Sequence, residues 1–100
     1  RLGLHSGVSL SSINSILTLN VFGIARTLFK GANSKIIINT GTPTTGDVGT
    51  TNAGGFTLGS NGAVLSFGNI EVKEIIIRNI EDTADNELIL YNYLKNKYSL

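Results

Sequence analysis

Three consecutive isoleucines, Ile36-Ile37-Ile38, constrain this chain more than any other feature. Branching at Cβ stiffens χ1 and favours a strand. Successive strand side chains point to opposite faces, so this run is apolar on both. Such a strand needs burial on both sides, or packing at an interface. A second run, Ile75-Ile76-Ile77, raises the same requirement. A length of 100 residues fits one domain of modest size. With 41% hydrophobic and 15% charged residues the chain is globular, neither disordered nor a coiled coil.

The surrounding pattern is mostly that of strands. Residues 24–30 (IARTLFK) and 35–39 (KIIIN) read as two strands around the turn Gly31-Ala32-Asn33-Ser34. Residues 12–21 carry mixed signals. Ile13, Ile16 and Leu17 have helical spacing, whereas Leu17, Leu19 and Val21 alternate, so a short helical turn feeding a strand is expected. Residues 39–55 hold six Thr, five Gly and the only Pro, which predicts a long loop, with room for a short strand inside. Phe56–Gly59 and Ala63–Phe67 read as a hairpin about Ser60-Asn61-Gly62. Residues 70–80 (IEVKEIIIRNI) give the strongest strand signal. Its apolar parity switches near Lys73-Glu74, which predicts a bulge or bend there.

Residues 82–98 read as the closing helix. Asp82 or Thr83 caps its start, Asp85 and Glu87 suit the positive end of the dipole, and Lys95 and Lys97 suit the other. Leu90, Tyr91, Leu94 and Tyr98 form one apolar stripe, and Tyr93 falls off it. The expected fold is mainly β: an antiparallel, jelly-roll-like β-sandwich with one C-terminal α-helix packed on it. Residues 1–24 would form an N-terminal arm or first strand, and 25–100 the sandwich portion.

Charge and composition narrow the function classes. A formal net charge of +1 gives no bulk attraction to nucleic acid or anionic membrane. Residues 1–69 carry a balance of +3 and residues 70–100 one of −2. Between Lys35 and Glu71 the only charge is Asp47, so the polar middle suits a neutral glycan or a protein loop better than phosphate, or is plain surface loop. Without Cys there is no disulfide, thiolate metal site or Cys nucleophile. The most apolar stretch, Ile16 to Ile24, is broken by Thr18 and Asn20 and falls short of the ~20 residues of a membrane span. A start at Arg1 and a lack of Met fit a chain processed or cut from something longer.

No catalytic constellation emerges. Gly41 to Gly46 has the glycine spacing of a phosphate loop, but Asp47-Val48 stands where Lys and Ser/Thr are needed. Glu71 and Glu74 fall on opposite faces of an ideal strand and cannot act on one substrate as acid and base. His5 is the only histidine and has no evident Ser or Asp partner pattern. Helix-terminus placement explains the acids Glu81, Asp82, Asp85 and Glu87. Asp47 offers one ligand to a calcium ion, a thin site, so no cofactor or metal is expected.

The C-terminal stretch resembles a known family. The segment GGFTLGSNGAVLSFGNIEVKEIIIRN, followed by DTADNELILYNYLKNKYSL, resembles the last strands and closing helix of concanavalin A-like, laminin-G-like jelly rolls. Upstream, ARTLFKGANSKIIINTG is similar to that family's protruding hairpin. The likeness covers roughly residues 25–98 and is strongest to versions from the tails and fibres of bacterial viruses. A full sandwich of this family is longer, Ala84 replaces the usual capping Ser, and the alternating acids of its glucanase members are missing.

The resemblance therefore implies a non-enzymatic structural protein of a virus particle, or a secreted carbohydrate-binding module. Its location would be the virion or the extracellular space. Partners would be copies of itself, other virion proteins or a neutral glycan. The candidate contact residues are Asn39, Thr42, Thr44, Thr45, Asp47, Asn52 and Asn61, whose hydroxyls and amides suit sugar. The candidate assembly residues are Ile37 and Ile76.

Overall fold

The first isoleucine run does become a strand covered on both sides. In the computed structural model, which describes residues 2–51 and 68–100, Ile36, Ile37 and Ile38 are 0%, 7% and 2% exposed. They lie in the central strand of a three-stranded antiparallel sheet. A separate two-stranded sheet precedes it in the chain. The small sheet pairs β1 (Gly3–His5) with β2 (Ser9–Ser11). The larger sheet has the order β3 (Ala25–Leu28), β4 (Ser34–Ile38), β5 (Thr44–Gly46). One helix, α1 (Ala84–Lys97), follows.

Register decides what each face of the larger sheet buries. Arg26 opposes Ile37, and Ile36 lies between Thr27 and Thr44. Ile36 and Ile38 thus share one face, and Lys35, Ile37 and Arg26 share the other. The first face packs on the hairpin: Leu4, Ile36, Ile38 and Val48 form the core, flanked by Leu2 and Leu10. Val48 holds the hairpin turn in place. Its carbonyl accepts from Ser6 N at 2.9 Å and Val8 N at 3.0 Å, and Gly7 supplies the turn's φ of 103°.

The second face meets the helix through charge. Glu87 accepts from Arg26 Nη1 at 3.0 Å and pairs with Lys35 Nζ at 2.8 Å. The Arg26 guanidinium also lies 4.8 Å from the Tyr91 ring centroid, a cation–π distance. The helix buries the expected stripe, with Tyr91 buried and Leu90, Leu94 and Tyr98 half-buried, while Tyr93 stays exposed. Thr83 takes the cap, its hydroxyl accepting from Asn86 N at 3.2 Å.

Several sequence expectations change. The turn at 31–34 is a single 3₁₀ turn, Gly31–Asn33, and Ser34 already belongs to β4. The buried Ser34 hydroxyl accepts from Lys30 N and donates to Gly31 O, which closes that turn. Residues 12–21 form neither the helical turn nor the strand. Tertiary bonds take their polar groups instead: Ile13 N and Asn14 N both donate to Thr44 Oγ1 at 3.2 Å, and Asn14 Nδ2 donates to Pro43 O at 2.9 Å. The 39–55 stretch does hold a short strand, β5. Residues 70–80 join no ladder among the described residues, although the expected bend occurs at Lys73. The expected hairpin at 56–67 lies outside the described residues. Ile37, expected at an assembly surface, is instead buried within the chain, on the face that Glu87 and Tyr91 reach.

Candidate functional site

An open groove of about 670 Å³ runs along the C-terminal half of α1. One wall is Asn20, Val21, Phe22, Ile24 and the Asn39-Thr40 corner after β4, and the other carries Tyr91, Lys95, Tyr98 and the last two residues. Lys73 reaches in from the 70–80 segment. Two asparagines shape the rim. Asn20 and Asn39 have φ of 61° and 51°, a left-handed backbone that asparagine tolerates better than most residues. Asn39 also holds the first wall together. Its N–H donates to Ile24 O at 2.7 Å, its Oδ1 accepts from Ile24 N at 2.8 Å, and its carbonyl accepts from Arg26.

The groove is cationic and aromatic. The Lys73 ammonium lies 4.3 Å from the Phe22 ring centroid and 5.5 Å from that of Tyr98. Among the described residues, neither Lys73 nor Lys95 forms an ion pair with a carboxylate. Glu74, next to Lys73, is fully engaged on the helix. It accepts from Tyr98 Oη at 2.6 Å, Lys97 Nζ at 2.8 Å and Tyr93 Oη at 3.2 Å. The bonds from Lys97 and Tyr98 hold the Glu74 carboxyl below its usual range, against a smaller opposing effect of burial. The same contact with Glu74 raises both Lys97 and Tyr98 above their ordinary values. This cluster clamps the 70–80 segment to α1 and so positions Lys73.

Of the loop residues singled out from the sequence, the described ones do not converge on the groove. Asn39 lines it. Thr44 is 3% exposed, and its hydroxyl accepts from Ile13 N and Asn14 N inside the chain. Thr42 and Thr45 are exposed and lie outside the groove lining, with Thr45 on the opposite face of β5 from Thr44. Asp47 closes a local turn, its Oδ1 accepting from Gly49 N at 2.7 Å. Among the described residues, no three His, Cys, Asp or Glu side chains gather as a metal site. Asn52 and Asn61 lie outside the described residues.

Other groupings were hidden in the sequence. His5 Nδ1 and Ser9 Oγ are 2.9 Å apart, as cross-strand partners in the hairpin. A nucleophilic serine needs an acid behind its histidine, and among the described residues no carboxylate pairs with His5. The acids near the helix start form ion pairs as well as dipole contacts: Glu81 with Lys30, Asp82 with Arg78, and Glu87 with Arg26 and Lys35. Nothing local marked Phe22, Lys73 and Lys95 as groove residues, because the groove joins segments far apart in the chain.

Comparison with protein-family models, with curated proteins and with solved structures finds no match. Among the described residues, no helix is long and apolar enough to cross a membrane.

Proposed function

We propose that this chain is a non-enzymatic structural module of a bacterial virus particle, of the fibre, tail or capsid-associated kind. In this reading it assembles with copies of itself or other virion proteins and contributes to attachment at a host surface or glycan. The observation that carries it is the apolar surface. Exposed large hydrophobic side chains outnumber buried ones among the described residues. They concentrate in 13–22 and 70–80, and these segments meet where Lys73 touches Phe22. Exposed apolar side chains gathered in two segments that meet are what an interaction surface would present. Two antiparallel sheets packed through Leu4, Ile36, Ile38 and Val48 support a sandwich of jelly-roll type, completed by partners. The virion or extracellular setting rests on the sequence resemblance.

Light scattering of the chain over a concentration series tests assembly. The expected result is an oligomer, which Ile76→Asp and Leu19→Asp convert to monomer with an unchanged circular-dichroism spectrum. Both residues are exposed in the single chain, Leu19 at 86%. A folded monomer at every concentration would sink the assembly reading. A second reading, a secreted or cell-surface carbohydrate-binding module, is favoured by the groove. It predicts a monomer that binds sugar. A purely assembling module predicts oligomers that bind none.

A further inference from the structure

We infer that the groove along α1 binds a saccharide bearing a carboxylate or sulfate, with Lys73 and Lys95 as its anion contacts. This rests on the attachment reading and names the ligand class of that site. Sequence alone points to a neutral glycan, because the 39–55 loop carries only Asp47. The folded chain forms its groove elsewhere. Among the described residues of that loop only Asn39 and Thr40 contribute, while both lysines come from other segments.

Three features select the chemistry. First, Lys73 is a positioned cation: Phe22 and Tyr98 hold its ammonium by their ring faces, and ring faces leave its charge unneutralised. Lys95 lines the same groove, and the nearby acid Glu74 is engaged by Lys97, Tyr93 and Tyr98. Second, the walls combine a half-open aromatic surface at Phe22 with amide groups at Asn20 and Asn39. Asn39 has its Oδ1 taken by Ile24 N, which leaves its NH2 group as donor. A sugar ring offers an apolar C–H face and a hydroxyl edge that match such a wall. Third, two lysines suit one or two anionic groups. A nucleic acid backbone calls for a longer cationic track, and the chain's net charge is only +1.

Isothermal calorimetry on the whole chain tests this with matched probes: sialyllactose against lactose, and oligogalacturonate against its methyl ester. Inorganic phosphate serves as the free-anion control. Binding of at least one acidic probe about tenfold tighter than its neutral mate is expected, from one charge-assisted contact. Lys95→Gln, on the exposed helix surface, and Lys73→Gln should each remove that preference, while Lys30→Gln, whose partner is Glu81, should not. Lys95→Gln keeps the test decisive if Lys73→Gln disturbs the fold. Equal binding of acidic and neutral mates, no binding of any acidic probe, or phosphate binding as tight as the sugar would overturn the assignment. Adsorption of the chain to bacterial envelopes is measured alongside. Adsorption that survives both lysine changes refutes the groove alone, whereas absent adsorption with absent sugar binding refutes the attachment reading too.

Discussion

Truncating Ile36 should cost this chain a large share of its stability, while truncating Ile76 should not. Ile36 is fully buried and touches the only buried apolar cluster among the described residues, with Leu4, Ile38 and Val48. Ile36→Ala removes three carbon groups, worth about 0.8 kcal/mol each in transfer, or roughly 2.5 kcal/mol. The strand is locked by ladders on both edges, so the site cannot collapse and a cavity cost adds to this. A loss of about 3–4 kcal/mol is expected, within the usual range for such changes. A domain of this size has about 5–15 kcal/mol in all. The melting temperature should fall by roughly 15–25 °C. Ile76 is 41% exposed in the single chain, so Ile76→Ala should cost about 1 kcal/mol or less there. If Ile76 packs in an oligomer, its cost should grow with protein concentration, whereas that of Ile36 should not. Urea unfolding at two concentrations measures both. An Ile36→Ala loss no larger than that of Ile76→Ala at low concentration would refute the assignment of the core.

Thr44→Val keeps shape but strips the acceptor shared by Ile13 N and Asn14 N, and should cost about 1–3 kcal/mol. Thr44→Ser should recover most of this in the same urea assay, and an equal loss would show that methyl packing, not the hydroxyl, matters. Gly49→Ala should destabilise by more than about 1 kcal/mol, because φ is 80° there and a Cβ would meet the Ser6 carbonyl. Thermal melts of Gly49→Ala that match the parent would contradict that contact. Glu74 gives a pH dependence: its folded carboxyl is lowered from 4.5, so its contribution is present above that value and lost as pH falls through the folded value. The same cluster should weaken in strong alkali, since Tyr98 is raised above 10.0 and its bond to Glu74 is lost when it ionises. Melts across pH 3–7 should therefore show a shallower acid decline in Glu74→Gln than in the parent, and identical slopes would remove Glu74 from the account.

Local chemistry made part of this fold legible. The isoleucine run 36–38 demanded a doubly covered strand and obtained one, and the capped helix with its apolar stripe lies at 84–97. Each signal depends on neighbours within a few residues, where propensity, capping and side-chain spacing act directly. The same local logic misled at 12–21 and at 70–80. In the first, Thr44 and Pro43 compete for the backbone and side-chain groups. In the second, Glu74 turns inward to Lys97 and Tyr98 while its isoleucines face outward, reversing what hydrophobicity alone implies.

The groove was the least legible part. Lys73, Phe22 and Tyr98 come together although up to 76 positions separate them in the chain. Val48 likewise carried no pattern in a polar loop, yet it is fully buried and anchors the N-terminal hairpin. By itself the sequence determined the central isoleucine strand, the capped helix and that apolar surface would need cover. Only the tertiary structure decided which isoleucines are covered from within and which cations share a groove. Those outcomes depend on packing between distant segments, and no local propensity encodes that.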